Sequence, residues 1–315
     1  MKKKVINISI FVSIIIVVLI FVAIYVHSAY PVSIPTENIR ITPTSQMLKR
    51  GEYLTNNVAY CIYCHSDYDK NNFPNQIVAG TEGGGGRMFT EKEGYPGIVY
   101  SRNLTPYALG EWSDGEIIRA FTCGLSKDNT VLFPVMNYKT YSRMSHNDIY
   151  SMVAYIRSLK PVKYNVPATS LDFPANLIIR TFPANNTYHI DNIDTGNAVQ
   201  NGKYLADIAL CKACHTPASR GQLVKVKEFT GGRPFVVNSK TVYSVNITPA
   251  KNTALSRLSA ESFVNLFKIY KTGLPASKKS NFVTIMPWIM FSGMTEKDLR
   301  SIYAYLHSVY PISVE

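Results

Sequence analysis

Cys61, Cys64 and His65 stand together as C-x-x-C-H, and the same pattern returns 150 residues later as Cys211, Cys214 and His215. Three chemistries use such residues. A redox C-x-x-C pair opens a helix in a thioredoxin-like unit and needs no following histidine, and the βαβ pattern that would hold it is missing. A zinc centre takes four ligands, which the two cysteine pairs would supply, but both adjacent histidines would then have no task. The third chemistry uses every residue. Thiols at i and i+3 lie on one side of a helical turn and add across the two vinyl groups of a haem, while the next residue offers its imidazole to the iron. The spacing therefore predicts two covalently bound haems c, attached through Cys61, Cys64, Cys211 and Cys214, with His65 and His215 as iron ligands.

The second axial ligand decides what such a centre does. An open position binds oxygen or peroxide, whereas a filled one leaves electron transfer. Methionine is the usual partner of histidine in electron carriers, and the chain has nine methionines. The repeat chooses among them: Met136 follows His65 by 71 residues, and Met286 follows His215 by the same 71. Around them "VMNYKTYSRMSHNDI" aligns without a gap on "IMPWIMFSGMTEKDL", pairing Tyr138 with Trp288, Tyr141 with Phe291 and Asp148 with Asp298. Met144 and Met294 align too, but stand just ahead of the next helix, where methionine commonly fills a core. Met290 has no methionine opposite it. Met136 and Met286 are the expected sulfur ligands, and a soft thioether favours ferrous iron and a raised potential.

The elements that must position these groups repeat as well. "RGEYLTNNVAYC" answers "NGKYLADIALC" with a shift of one residue, Gly51 and Tyr53 matching Gly202 and Tyr204. Each reads as a helix leading into the haem-binding turn, with the glycine allowing close helix packing. Ser145–Asp148 and Thr295–Asp298 fit the S/T-x-x-D capping box. Apolar stripes follow at helical spacing, Ile149, Met152, Val153 and Ile156 in one copy, and Leu299, Ile302, Tyr303 and Leu306 in the other. "YSRNLTP" answers "YSVNITP", and the N-x-T triplets inside them read as turns rather than glycosylation sites. Ser113–Glu116 reads as another helix cap. The run Gly83–Gly86 lacks a phosphate-cradle pattern and reads as a flexible loop. Arg87 and Arg233 follow glycines in both copies and are candidates to pair with haem propionates. Cys123 reads as a small buried apolar residue. His27, His146, His189 and His307 read as surface or packing histidines.

With 315 residues, 46% of them hydrophobic and 17% charged, the chain can bury the cores of two ordinary domains. Net charge is +12; no basic run interleaves with aromatics as a nucleic-acid groove would require, so nucleic acid is not an expected partner. Val5 to Val26 contains no charged residue and is long enough, as a helix, to cross a hydrocarbon core of about 30 Å. Its length and the poor cleavage signal in "YVHSAY" favour an uncleaved anchor over a cleaved signal peptide. Lys2, Lys3 and Lys4 would stay in the cytoplasm, leaving the remainder outside. The expected organisation is mostly α: an anchor at 1–30, a tether at 31–44, a class I cytochrome c-like domain at 45–160, a proline-bearing connector at 161–195, and a second such domain at 196–315.

From about Lys49 to Ile312 the chain resembles the membrane-associated multihaem cytochrome c subunits of bacterial alcohol, aldehyde and gluconate dehydrogenases. The resemblance is carried by "NGKYLADIALCKACHTP", "NLTPYALGEWSDGE", "LFPVMNY", "IMPWIMF" and "LDFPANLIIR". It implies His65/Met136 and His215/Met286 ligation and a partner dehydrogenase, with electrons passed on to quinone, a soluble cytochrome or a terminal oxidase. The chain departs from that family in having two haem motifs where three are frequent, in Asn137 where a proline follows the methionine, in "CHSD" at the first site, and in an apolar segment at its N-terminal end. The expectation is a periplasm-facing electron carrier in the bacterial cytoplasmic membrane that breaks no substrate bond itself. A diheme peroxidase would need one iron open to peroxide, against the matching methionine in both halves. The diheme subunit of a haem–copper oxidase usually has more compact haem domains than this 150-residue period allows.

Overall fold

The computed structural model describes residues 2–68, 76–183, 193–219, 222–237, 239–272 and 283–313, and His189 lies outside them. The apolar N-terminal segment forms one helix, α1 (Lys2–Ala29). A helix α2 (Ser45–Tyr53) follows, capped by Thr44, whose hydroxyl accepts from the Met47 amide. It runs into a single π turn, Leu54–Val58, closed by the Ala59 amide donating to the Leu54 carbonyl. Then come the short helix α3 (Cys61–Cys64), the strands β1 (Met88–Phe89) and β2 (Gly97–Tyr100), and the helices α4 (Pro106–Leu109), α5 (Asp114–Cys123), α6 (Tyr138–Tyr141) and α7 (His146–Ser158).

The described stretch 161–183 of the connector is more ordered than a proline-punctuated crossing suggests. It contributes β3 (Ser170–Leu171), which pairs antiparallel with β2, and the short helix α8 (Ala175–Ile178), which touches α1. The second half repeats the plan with α9 (Ala198–Ile208), α10 (Cys211–His215), the two-stranded ribbons β4 (Ala218–Ser219) with β5 (Gln222–Leu223) and β6 (Pro234–Val237) with β7 (Lys240–Tyr243), then α11 (Ala260–Lys268), α12 (Trp288–Ser292) and α13 (Glu296–Ser308).

Each half is built on one helix pair, α2 with α7 and α9 with α13. Two glycines set how closely they approach. A Cβ on Gly51 would lie 1.9 Å from the Ser151 carbonyl oxygen, and one on Gly202 would lie 1.8 Å from that of Ser301. The one-residue shift between the copies also has a structural cause. The first copy carries one more residue between Tyr53 and Cys61 than the second carries between Tyr204 and Cys211, and the wider π turn absorbs it. The tyrosine and the cysteine of each copy thereby keep matching places although their spacing differs.

The capping boxes differ from the sequence reading. Ser113 and Glu116 make both halves of a box at α5. At α7 and α13 only one half forms: Ser145 and Thr295 accept from the amides of Asp148 and Asp298. The two carboxylates turn away from their own helix ends, Asp148 to Arg50 and Tyr204, and Asp298 to Tyr53 and Asn201. Buried side chains of the two halves form one contiguous cluster, running from Leu54, Val58 and Tyr141 to Leu205, Phe291 and Leu299.

Candidate functional site

One cavity of about 1880 Å³ lies against both halves. Ordinary small-molecule sites occupy about 300–1,000 Å³, so this one has room for a pair of large ligands. Cys61, Cys64, His65 and Met136 border it from the first half, and Cys211, Cys214, His215 and Met286 border it from the second. Every covalent and axial position expected from the sequence thus faces the same space.

Each cysteine turn begins on a left-handed residue, Tyr60 (φ 42°) or Leu210 (φ 59°), which breaks the preceding helix and re-aims the chain into α3 or α10. Burial, with the neighbouring cysteine adding to it, pushes the Cys61 and Cys211 thiols up to about 12. Burial raises Cys64 and Cys214 as well. Metal binding and disulfide exchange use the thiolate, which this environment disfavours. Among the described residues no group of three or more His, Cys, Asp or Glu side chains is placed to hold a metal ion directly.

The histidines are oriented by the backbone. His65 Nδ1 lies 2.6 Å from the Arg102 carbonyl oxygen, and His215 Nδ1 lies 2.8 Å from that of Val245. A carbonyl only accepts, so Nδ1 carries the proton and Nε2 is left with its lone pair. Burial lowers the pKa of both rings and keeps them neutral, with the backbone hydrogen bond opposing it. A second backbone bond pins each turn from the other side. Gly85 donates to the His65 carbonyl at 2.7 Å, and Gly231 donates to that of His215 at 2.8 Å.

The glycine run is therefore not a flexible loop. Gly85 (φ +76°) and Gly231 (φ +73°) lie so close to the segment carrying the histidine's acceptor that a Cβ would meet its backbone at 2.6 and 2.4 Å. That segment is held by the N-x-T turns, in which Asn103 Oδ1 accepts from both the amide and the hydroxyl of Thr105, and Asn246 Oδ1 does the same for Thr248.

The methionine pairs separate by environment. Met136 ends a 3-10 turn, Pro134–Met136, and Met286 immediately precedes Pro287 and α12; both are partly exposed and border the cavity. Met144 and Met294 are each 1% exposed within the core, and of these only Met294 reaches the cavity wall. The turns after the two ligand candidates differ: Asn137 adopts φ 34°, which proline cannot, and Pro287 has φ −80°.

Arg87 and Arg233 border the cavity at equivalent places, each donating its amide to a serine hydroxyl, Ser101 or Ser244. The Arg87 guanidinium sits among the rings of Tyr63, Tyr68 and Phe89, with Nη1 3.9 Å from Cys64 Sγ. Among the described residues its buried Nε has no hydrogen-bond partner, and neither has the buried Nε1 of Trp288 on the cavity wall. Orphaned donors facing an otherwise apolar enclosure suit a flat apolar group with anionic substituents, as a haem is. Arg233 spends one nitrogen on the Ala213 carbonyl. Two of the remaining histidines pack against rings: His307 lies 4.1 Å from the Tyr303 ring and His146 lies 5.9 Å from that of Tyr150, whereas His27 is exposed at the end of α1. Cys123 is buried, as expected.

Sequence reasoning missed the two carbonyls, because any residue supplies one. The signal was the repeat: Arg102 and Val245 occupy the same place in "YSRNLTP" and "YSVNITP".

No family model matches the chain. Individual relatives do. The chain is 26% identical over 236 residues to the cytochrome c subunit of a quinone-type alcohol dehydrogenase of Gluconobacter oxydans, covering 70% of this chain and 46% of that protein. It is 28% identical over 288 residues to the fructose dehydrogenase cytochrome subunit of Gluconobacter japonicus, covering 87% and 55%. It is also 24% identical over 200 residues to a diheme c-type cytochrome of Cereibacter sphaeroides, covering 61% and 64%. The chain spans about half the length of the dehydrogenase subunits it matches. The chain is thus similar, over most of its own length, to cytochrome c subunits of bacterial dehydrogenases.

Proposed function

We propose that the chain is a membrane-anchored diheme c-type cytochrome that carries electrons from a partner dehydrogenase towards a quinone, another cytochrome or a terminal oxidase. The observation that carries this reading is the matched pair of sites. In each half a backbone-oriented imidazole and a methionine at the same spacing border one shared cavity. Cys61, Cys64, Cys211 and Cys214 would hold two haems c by thioether bonds, with His65 and Met136, and His215 and Met286, as axial ligands. Haem iron closed on both sides supplies reversible one-electron chemistry.

The protein's own part is to fix and tune. The Arg102 and Val245 carbonyls hold Nδ1–H and so set the tautomer and ring plane of each ligand. The apolar walls exclude water, and Arg87 with Arg233 offers cations to propionates. The domain plan that fits is an anchor at 1–30, a tether at 31–44, tandem class I cytochrome c-like units at 45–160 and 196–315, and a connector at 161–195. With the N-terminal lysines in the cytoplasm, both units would face the periplasm.

A pyridine haemochrome assay on purified protein tests the proposal. Two haems per chain that survive acid–acetone extraction are expected. Absence of covalent haem would end it. Rapid carbon monoxide binding together with peroxide turnover would shift the reading to a diheme peroxidase.

A further inference from the structure

A second cavity, of about 720 Å³, opens where α1 meets the body of the protein. Its walls come from the end of α1 (His27, Tyr30), from Arg102 after β2, and from the connector (Thr169, Asn176, Arg180). Three of these side chains are basic, and among the described residues no aspartate or glutamate lines the space.

Its height relative to a bilayer follows from α1. Ile8–Ala29 has mean hydropathy 3.1, and none of its apolar window is buried by the other described residues. Such a helix finds its cover in hydrocarbon. Its end is fastened to the body by Arg180, whose Nε donates to the Tyr30 carbonyl at 2.8 Å and Nη2 to the His27 carbonyl at 3.0 Å. The cavity is thereby held where the helix leaves the apolar layer. Tyr25 (63% exposed) on α1, and Phe173 (76%) and Ile178 (50%) at α8, present aromatic and apolar groups near the same end, as membrane-interface anchors do.

We propose that this cavity binds the phosphate headgroup of an anionic phospholipid. Basic pockets at headgroup level concentrate such lipids. Arg180 is already committed to helix carbonyls, so His27 and Arg102, both exposed, are the groups that meet the phosphate. Arg102 also borders the large cavity, and its carbonyl holds His65. An anion beside it offsets a positive charge near the first centre, which favours the oxidised state and lowers the midpoint potential. This coupling rests on the haem reading at His65; the lipid site itself does not.

The test uses the full-length holoprotein in nanodiscs of phosphatidylcholine, with and without phosphatidylglycerol. Lipid retained after a detergent wash is counted by mass spectrometry, and haem is counted separately on the same sample. About one phosphatidylglycerol per chain is expected to remain, with a lower potential for the first centre than in phosphatidylcholine alone. The pair His27→Gln and Arg102→Gln, which keeps the backbone carbonyl, should reduce retention about tenfold or more and abolish the shift. Arg102→Lys should restore both, which separates lost charge from lost fold. Equal retention of the two lipids, retention of a quinone in place of phospholipid, or equal affinity for inorganic phosphate would each overturn the assignment. Selective retention without a potential shift would keep the site and remove its link to the first centre.

Discussion

Tyr53 donates its hydroxyl hydrogen to Asp298 at 2.5 Å, tying the helix that leads into the first cysteine motif to the terminal helix of the second half. Tyr204, its repeat equivalent, makes the reciprocal bond to Asp148 at 2.7 Å. Each tyrosine oxygen also accepts from a helix N-cap across the junction, Tyr53 from the Thr295 amide and Tyr204 from that of Ser145. The halves are thus clasped twice by the same pair of residue types, and the clasp keeps both cysteine motifs on one cavity.

Replacing either tyrosine by phenylalanine should destabilise the holoprotein by about 1.5–3 kcal/mol, because a hydrogen bond to a carboxylate is lost and its partner stays behind. Tyr53→Phe should cost more than Tyr204→Phe. Asp148 keeps the two-pronged contact of Arg50, at 2.8 Å through both nitrogens, whereas Asp298 keeps Asn201 at 3.1 Å. Denaturant unfolding followed by both haem absorbance and fluorescence measures this. Negligible costs would remove the clasp from the account of what holds the halves together, and equal costs would remove the ranking of the two tyrosines.

The same two phenols predict an alkaline limit. Burial and then Asp298 raise the Tyr53 pKa, and burial and then Asp148 raise that of Tyr204. An unfolded tyrosine titrates near 10.0. The unfolded chain therefore releases these protons first, so their stabilisation is complete below about pH 10 and is lost as pH rises towards the folded values. Unfolding free energy measured from about pH 8 to about pH 11 should fall in the wild type, and fall less steeply in the double phenylalanine variant. Parallel curves would show that the tyrosines do not govern the limit.

The two methionine pairs should respond in opposite ways. Met136→Ala and Met286→Ala should each alter the absorption spectrum of one centre and lower its potential by on the order of 0.1 V, within the range of about 0.8 V that axial ligands span. Both side chains are partly exposed, so the fold should tolerate the change. Met144→Ala and Met294→Ala leave cavities in a core where each is 1% exposed, and should cost about 2–5 kcal/mol with both spectra intact. Spectroelectrochemistry and unfolding on the four variants check the assignment. A spectral change confined to Met144 or Met294 would transfer the ligand role to that pair.

Most of the candidate site was legible because it is written twice. The C-x-x-C-H motifs, the 71-residue step to methionine and the N-x-T turns each gain force from their second copy, and the structure brings the cysteines, histidines and methionines of both copies to one cavity. What stayed hidden is carried by backbone or by contacts between the copies. The histidine acceptors are carbonyls, which leave no trace in residue type. Asp148 and Asp298 fit the capping box so well locally that nothing near them in sequence points to their partners, which stand 98, 56 and 245 residues away in Arg50, Tyr204 and Tyr53. The glycine run looked loose because glycine marks both freedom and tight approach, and only the positive φ angles and neighbouring backbone distinguish them.

That distinction can be measured on two adjacent residues. Gly231 and Gly232 have nearly the same backbone angle, φ +73° and +75°, so alanine meets the same left-handed strain at each, about 1–2 kcal/mol. Their surroundings differ. Among the described residues a Cβ at Gly232 meets nothing within 4 Å, whereas one at Gly231 lies 2.4 Å from the Val245 carbonyl carbon. Gly231 also donates to the His215 carbonyl, while Val245 accepts from His215 Nδ1, so the new methyl group would force apart the two backbone segments that hold His215. Gly232→Ala should cost only the strain, with full haem content. Gly231→Ala should add about 1–3 kcal/mol of overpacking, reduce haem incorporation in the second half, and shift the potential of that centre while leaving the first unchanged. Equal behaviour of the two variants in unfolding and in haem-to-protein absorbance would mean that the loop does not position His215.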